Sequence, residues 1–107
     1  MKFPITSLAA VAALLSLGNT HALDAAAAKA LATKSACLAC HAADKKLVGP
    51  AYKDVAKKYK GQKDAVTMLA AKVKKGGQGV WGQVPMPPNP AVPDADNRKM
   101  IEYILKL

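Results

Sequence analysis

The segment Cys37-Leu38-Ala39-Cys40-His41 constrains the fold of this chain more than any other feature. On a helix, residues three and four positions apart share a face, so both thiols and the imidazole would project from one side. Two cysteines at this spacing, followed directly by a histidine, are typical of the attachment site for c-type haem. In such a site each sulfur forms a thioether with a porphyrin vinyl group and the imidazole binds iron. The motif therefore predicts a fold that wraps around one covalently bound haem.

Three other interpretations of the two cysteines remain as alternatives. A zinc site needs four ligands, usually in two separated pairs, and the only other histidine is His21 in the segment that we expect to be removed. A thioredoxin-like dithiol requires a βαβ context, and the chain shows no strand pattern. A disulfide between Cys37 and Cys40 would close a very small loop and constrain the unfolded chain little. Haem attachment is the favoured interpretation.

The N-terminal segment 1–22 has the pattern of a cleaved secretory signal. One positive charge at Lys2 precedes an apolar run from Leu8 to Leu17, and the segment ends in Thr20-His21-Ala22. The run is well short of the roughly 20 residues that span a bilayer, although an uncleaved anchor remains the alternative. Cleavage would leave residues 23–107 as a single small domain without stable membrane insertion. A domain of this size often needs a staple, which a covalent haem would supply.

The rest of the chain predicts about four short helices and no strand. Asp24 is a predicted cap for an alanine-rich helix, and Asp94 for the last helix. Glycines and prolines mark the other ends. The predicted helices are 25–36, 50–60, 64–76 and 94–106. The predicted core positions, which follow helical periodicity, are Val66, Leu69, Ala70 and Val73 in the third helix and Met100, Ile101, Ile104 and Leu105 in the last.

The segment 76–93 is rich in glycine and proline and cannot be helical. A loop of this length in a small domain is usually functional or disordered, and the presence of Trp81 and Met86 favours function. Met68 and Met100 fall within helical patterns, where methionine is most often core filler. Met86, between Pro85 and Pro87, has a stiffened backbone in a loop free to cross the haem. We predict that it is the second iron ligand, with core packing as the alternative.

Several segments together resemble the small bacterial class I cytochromes c of the c-551/c-552 type. They are the Cys37–His41 motif, Val48-Gly49-Pro50-Ala51-Tyr52, Trp81 and Pro85-Met86-Pro87-Pro88-Asn89. The resemblance covers essentially all of residues 23–107. It implies an all-α class I cytochrome c fold and a monomer that carries single electrons in the periplasm. It also implies that Cys37 and Cys40 form the thioethers of haem c and that His41 and Met86 are its axial ligands.

The resemblance further implies roles for three residues that do not bind iron. The backbone carbonyl of Pro50 would accept a hydrogen bond from the other ring nitrogen of His41, which would fix the imidazole tautomer. Trp81 would donate to a haem propionate, and the amide of Asn89 would lie near the methionine sulfur. The alternatives are an ordinary core aromatic residue at Trp81 and an ordinary turn residue at Asn89.

Charge is unevenly distributed along the chain. The formal net charge is +9, and the lysine-rich region 45–75 contains only two acidic residues, Asp54 and Asp64. Its ten lysines are at positions 45, 46, 53, 57, 58, 60, 63, 72, 74 and 75. This pattern predicts transient electrostatic docking to acidic redox proteins, with a merely solvated lysine face as the alternative. Export and the lack of arginine in this region disfavour nucleic acid as a partner.

These features together predict a single-electron carrier rather than an enzyme, because two axial ligands would leave no open iron position for a substrate. Two alternatives remain. One is a c-type haem protein with an open iron that binds gases or peroxide. The other is a cytochrome subunit of a larger oxidoreductase.

Overall fold

A computed structural model describes residues 23–107, and the predicted signal segment 1–22 lies outside them. The described residues form four α-helices and one 3₁₀ turn, and they contain isolated β-bridges but no strand. The elements are α1 (Ala25–Lys34), the 3₁₀ turn (Cys37–Ala39), α2 (Tyr52–Tyr59), α3 (Ala65–Lys75) and α4 (Asp94–Ile104). The predicted all-α architecture of about four short helices is confirmed.

Helix α1 begins as its sequence predicts and ends earlier. The Asp24 carboxylate accepts a hydrogen bond from the backbone N–H of Ala27 at 2.7 Å, so the predicted cap is confirmed. The helix stops at Lys34, because Ala36 has a left-handed conformation with φ of 61° that no α-helix continues through. The prediction that the two cysteines and the histidine lie on a regular helix was wrong. They lie on a 3₁₀ turn and the residues just after it.

Helix α4 is the centre of the packing, because α1, α2 and α3 all contact it. Met100 and Ile104 are buried against Ala32 of α1 in one apolar cluster, and Ile101 is also buried. Leu105, which was predicted to be a core residue, is only half-buried because the helix has already ended at Ile104. The last helix thus anchors the other three.

The start of α4 differs from the sequence prediction. Asp94 does not cap the helix: Pro93 occupies the cap position, and Asp94 is the first helical residue. The Asp94 carboxylate instead forms an ion pair with Lys74 of α3. In α3, Ala65 is buried, whereas the predicted core positions are only half-buried. One of them, Val73, lines the cavity described below.

None of the helices in residues 23–107 combines the length and the apolar character that crossing a bilayer would require.

Candidate functional site

One wall of a large cavity is formed by the 3₁₀ turn and the two residues that follow it, Cys40 and His41. The backbone N–H groups of Cys40 and His41 both donate to the carbonyl of Cys37, at 3.2 and 3.0 Å. This tight turn places both sulfurs and the imidazole along the cavity. The left-handed Ala36 redirects the chain out of α1 just before the turn, so the turn projects from the helix end.

The imidazole of His41 is oriented by a backbone carbonyl. Its Nδ1 lies 2.8 Å from the oxygen of Pro50. A carbonyl oxygen can only accept a hydrogen bond, so Nδ1 must carry the proton and donate it. In the neutral ring the lone pair is then on Nε2, the nitrogen that is left free to bind a metal.

Two further contacts hold the faces of this ring. A Cβ atom added at Gly49 would lie 2.5 Å from Cε1 of His41, closer than real Cβ contacts come, so only glycine lets the backbone pass here. The ring of Tyr52 stacks on the imidazole, with 5.2 Å between centroids and 19° between planes. The sequence did not predict a contact with His41 for either Gly49 or Tyr52. Neither contact has a local sequence signal beyond the motif that contains both residues.

Met86 also lines the cavity, and the end of α3 supports the loop that contains it. Met86 and Gly77 exchange both backbone hydrogen bonds, at 2.8 and 3.1 Å. The N–H of Asn89 donates to the carbonyl of Val73 in the last turn of α3, at 2.8 Å. At Gly76, φ is 70° and a Cβ would lie 2.5 Å from the carbonyl oxygen of Met86. The loop is therefore fastened to the helix by backbone atoms at a distance that only glycine permits.

The cavity measures about 530 Å³ and brings together most of the predicted site residues. They are Cys37, Cys40, His41, Met86 and Asn89. The remaining lining is largely apolar, with Leu31, Val73, Val92 and prolines 87, 88 and 93. A volume of this size is typical of cofactor pockets. Two thiols, an imidazole and a thioether in a largely apolar lining fit a covalently attached haem.

Asn89 links the Met86 loop to the residues before the attachment motif. Its Nδ2 donates to the carbonyl of Ser35, at 2.9 Å, directly before the attachment segment. Asn89, whose amide was predicted to lie near the methionine sulfur, thus lines the cavity, and its amide donates to the segment before Cys37. This hydrogen bond ties the Met86 loop to the residues directly before Cys37.

Trp81 does not line the cavity. Its side chain is 41 % exposed, and Nζ of Lys58 lies 5.5 Å from its ring centroid, within the range of a cation–π contact. Pro50 is also absent from the cavity lining and acts on the site through His41. The predicted donation from Trp81 to a propionate stays a prediction.

The environment of Cys37 differs from that of a reactive redox dithiol. Burial raises the pKa of its thiol, partly offset by a hydrogen bond with Tyr52. Burial also raises the pKa of the Tyr52 hydroxyl, with the neighbouring Cys37 adding to the effect. Redox-active dithiols are recognised by a lowered thiol pKa instead. In residues 23–107 the two cysteines are not joined in a disulfide, and no three His, Cys, Asp or Glu side chains come together as a metal site.

Comparisons with known proteins show which family the chain resembles. The sequence profile of the family described as Cytochrome c matches residues 25–107. Cytochrome c-552 of Hydrogenobacter thermophilus is 57 % identical over 77 residues, which cover 72 % of this chain and 78 % of that protein. Cytochrome c-551 of Pseudomonas aeruginosa is 50 % identical over 98 residues, covering 87 % and 93 %. The crystal structure of Nitrosomonas europaea cytochrome c552 superposes with a TM-score of 0.71 at 53 % identity, covering 74 % of this chain and 98 % of that one.

Proposed function

Since the chain belongs to the cytochrome c family and is a small c-type electron carrier rather than an enzyme, we propose that its cavity holds one haem with a histidine and a methionine as axial ligands. Members of this family bind haem c covalently through cysteines. The proposed thioether residues are Cys37 and Cys40, and the proposed iron ligands are His41 and Met86. The observation that supports the proposal is that all four residues line one cavity.

When bound, the haem supplies one-electron exchange between ferric and ferrous iron. The residues of the chain determine how readily that exchange occurs. Pro50 keeps Nδ1 of His41 protonated, so Nε2 stays available as a ligand. A Met86 thioether favours the ferrous state, as do the apolar side chains around the cavity, so both raise the reduction potential. Because the loop is fastened to α3 and to Ser35, both ligands can stay in place during the exchange.

We propose that the protein works in the periplasm as a free monomer that meets redox proteins through short-lived contacts. The support for export is the charged start, apolar run and small-residue end of segment 1–22. The support for acidic partners is the excess of lysine in region 45–75. Residues 23–107 form the single mono-haem domain of this proposal.

The test is the spectrum of the protein expressed with export, compared with that of two methionine variants. Reduced wild-type protein should show a low-spin c-type spectrum, and oxidised protein should show a sulfur-to-iron band. In Met86→Ala that band should disappear, the potential should fall and the reduced protein should bind carbon monoxide, because the sixth position is open. The matched control is Met68→Ala, whose side chain is on α3, 37 % exposed and absent from the cavity lining.

Met68→Ala should keep the wild-type spectrum. An unchanged sulfur-to-iron band in Met86→Ala would contradict methionine ligation at this position. Carbon monoxide binding to reduced wild-type protein would instead favour an open-iron, gas-binding protein.

A further inference from the structure

Asn97 is the one buried polar residue in the described part of the chain, with 1 % of its surface exposed. Its Nδ2 donates to the carbonyl of Ala70 at 3.0 Å, whereas its Oδ1 has no hydrogen-bond partner. Burying an amide with an unpaired acceptor costs free energy, while its single hydrogen bond contributes only about 0.5–1.5 kcal/mol. A gain in stability therefore does not account for an asparagine at this position.

The position of Asn97 is the contact between α4 and α3. Its hydrogen bond joins the second turn of α4 to the middle of α3. A cleft of about 230 Å³ lies along this contact, lined by Ala70, Ala71, Lys74, Asp94, Asn97 and Arg98. The ion pair between Lys74 and Asp94 spans the same contact but is exposed, so solvent weakens it. Asn97 provides the buried directional contact between the two helices.

Helix α3 in turn supports the loop that contains Met86. The Val73 carbonyl in its last turn accepts a hydrogen bond from Asn89, and Gly77, just after the helix, exchanges backbone hydrogen bonds with Met86. Among the described helices, α3 makes its main contact with α4. A change in the register of α3 on α4 would therefore move the Met86 backbone relative to the attachment wall.

We propose that Asn97 is a positioning residue that fixes the register of α3 against α4 and so holds Met86 at the haem, an inference that rests on the proposed ligation by Met86. Apolar helix faces can pack in neighbouring registers at similar cost, whereas a buried hydrogen bond to one carbonyl selects one of them. Burial of the unpaired Oδ1 lowers the stability of the protein, and this is the cost of selecting one register.

The test replaces Asn97 by leucine in the haem-loaded protein. The thermal midpoint should stay the same or rise, because the unpaired acceptor is removed and the Ala70 carbonyl keeps its helical hydrogen bond. Imidazole added to the oxidised protein should displace the methionine, which is measured by the loss of the sulfur-to-iron band. The equilibrium constant for displacement should be about fivefold larger in the variant than in the wild type, which corresponds to the loss of one hydrogen bond. Amide exchange at Met86 and Asn89 in the reduced protein should become faster by a similar factor.

The matched control is Ile104→Val on the same helix, in the cluster with Ala32 of α1. It should lower the thermal midpoint and leave imidazole displacement and both amide exchange rates unchanged. Unchanged displacement and exchange in Asn97→Leu would overturn the proposal, as would changes that Ile104→Val reproduces. If leucine prevents folding, Asn97→Ala is judged by the same two readouts. A wild-type protein without the sulfur-to-iron band would instead refute ligation by Met86.

Discussion

The imidazole of His41 lies between the backbone of Gly49 and the ring of Tyr52, and there is no room for a side chain at position 49. Gly49 approaches so closely that a Cβ would overlap Cε1 of the ring. The same glycine donates its N–H to the carbonyl of Cys40 at 2.8 Å, so it cannot move away without losing that hydrogen bond. The orientation of His41 thus depends on the absence of atoms at position 49 as well as on the Pro50 carbonyl.

Gly49→Ala should therefore displace the His41 ring. Crowding of this kind typically costs about 1–3 kcal/mol of stability. We expect a lower denaturation midpoint in guanidinium and an altered haem spectrum, because the nitrogen that binds iron moves with the ring.

Gly77→Ala is the control for that substitution. A Cβ at Gly77 would meet only the flexible end of Lys72, at 3.1 Å, and the backbone there is not left-handed. Its spectrum should remain that of the wild type. Equal midpoints and equal spectra for the two variants would contradict the steric role of Gly49.

The motif predicted that Cys37, Cys40 and His41 belong to one site, and all three line one cavity. The contacts that hold the site were harder to predict. Tyr52 reaches His41 across 11 positions and Asn97 reaches Ala70 across 27. Periodicity assigns apolar residues to the core and gives no signal for a buried asparagine. Distant contacts of this kind depend on how the helices pack, which no local pattern encodes.

At the scale of elements, local signals predicted helix existence and some ends. The Asp24 cap and the stop of α3 before Gly76 both follow from side-chain chemistry and backbone freedom within a few residues. The 3₁₀ turn was missed because alanine at position 36 gives no indication of a left-handed backbone. Asp94 was misassigned as a cap because its partner, Lys74, belongs to another helix.

The junction between α3 and the Met86 loop gives the element-scale prediction. Gly76→Ala should weaken the loop, since a Cβ would lie 2.5 Å from the Met86 carbonyl oxygen and 2.8 Å from the Pro88 nitrogen. We expect the sulfur-to-iron band of the oxidised protein to be lost at lower denaturant than in the wild type. The band should also disappear well before the helical signal in circular dichroism.

The control is Gly79→Ala, which separates crowding from backbone strain. Gly79 also has a positive φ, 102°, but a Cβ added there would meet no atom within 4 Å. Both substitutions place alanine at a positive φ, at a cost of about 1–3 kcal/mol. If both variants lost the band at the same denaturant concentration, contact with the loop would not be the cause.

For the whole molecule, the distribution of charge is the property that matters for encounters with partners. Within region 45–75 the lysine side chains are exposed except for Lys72 and Lys74, which are half-buried. Lys53 pairs with Asp44 at 2.6 Å, and both are well exposed. Most of this charge is therefore available to the solvent and to an approaching protein.

Electron transfer to an acidic redox protein should slow as salt is added, by about tenfold or more between low and high ionic strength, because salt screens long-range attraction. Lys57→Glu combined with Lys60→Glu should lower the rate at low salt and flatten its salt dependence. Stopped-flow absorbance of the haem provides the measurement.

Lys29→Glu combined with Lys106→Glu is the control, since it makes the same change in net charge outside region 45–75. It should reduce the rate less. A rate that does not respond to salt, or an equal loss in both double variants, would count against docking through this region.

The hydrogen bond between Asn89 and Ser35 joins residues 54 positions apart, and this separation has a consequence for maturation. The turn with the two cysteines forms from neighbouring residues, whereas Met86 reaches the cavity only when a long segment of chain closes. Closing a long segment costs more entropy and is slower than forming a local turn. We therefore expect the two thiols to be presented before the Met86 loop closes over the cavity during folding. In that order a porphyrin reaches both thiols while the cavity is still open.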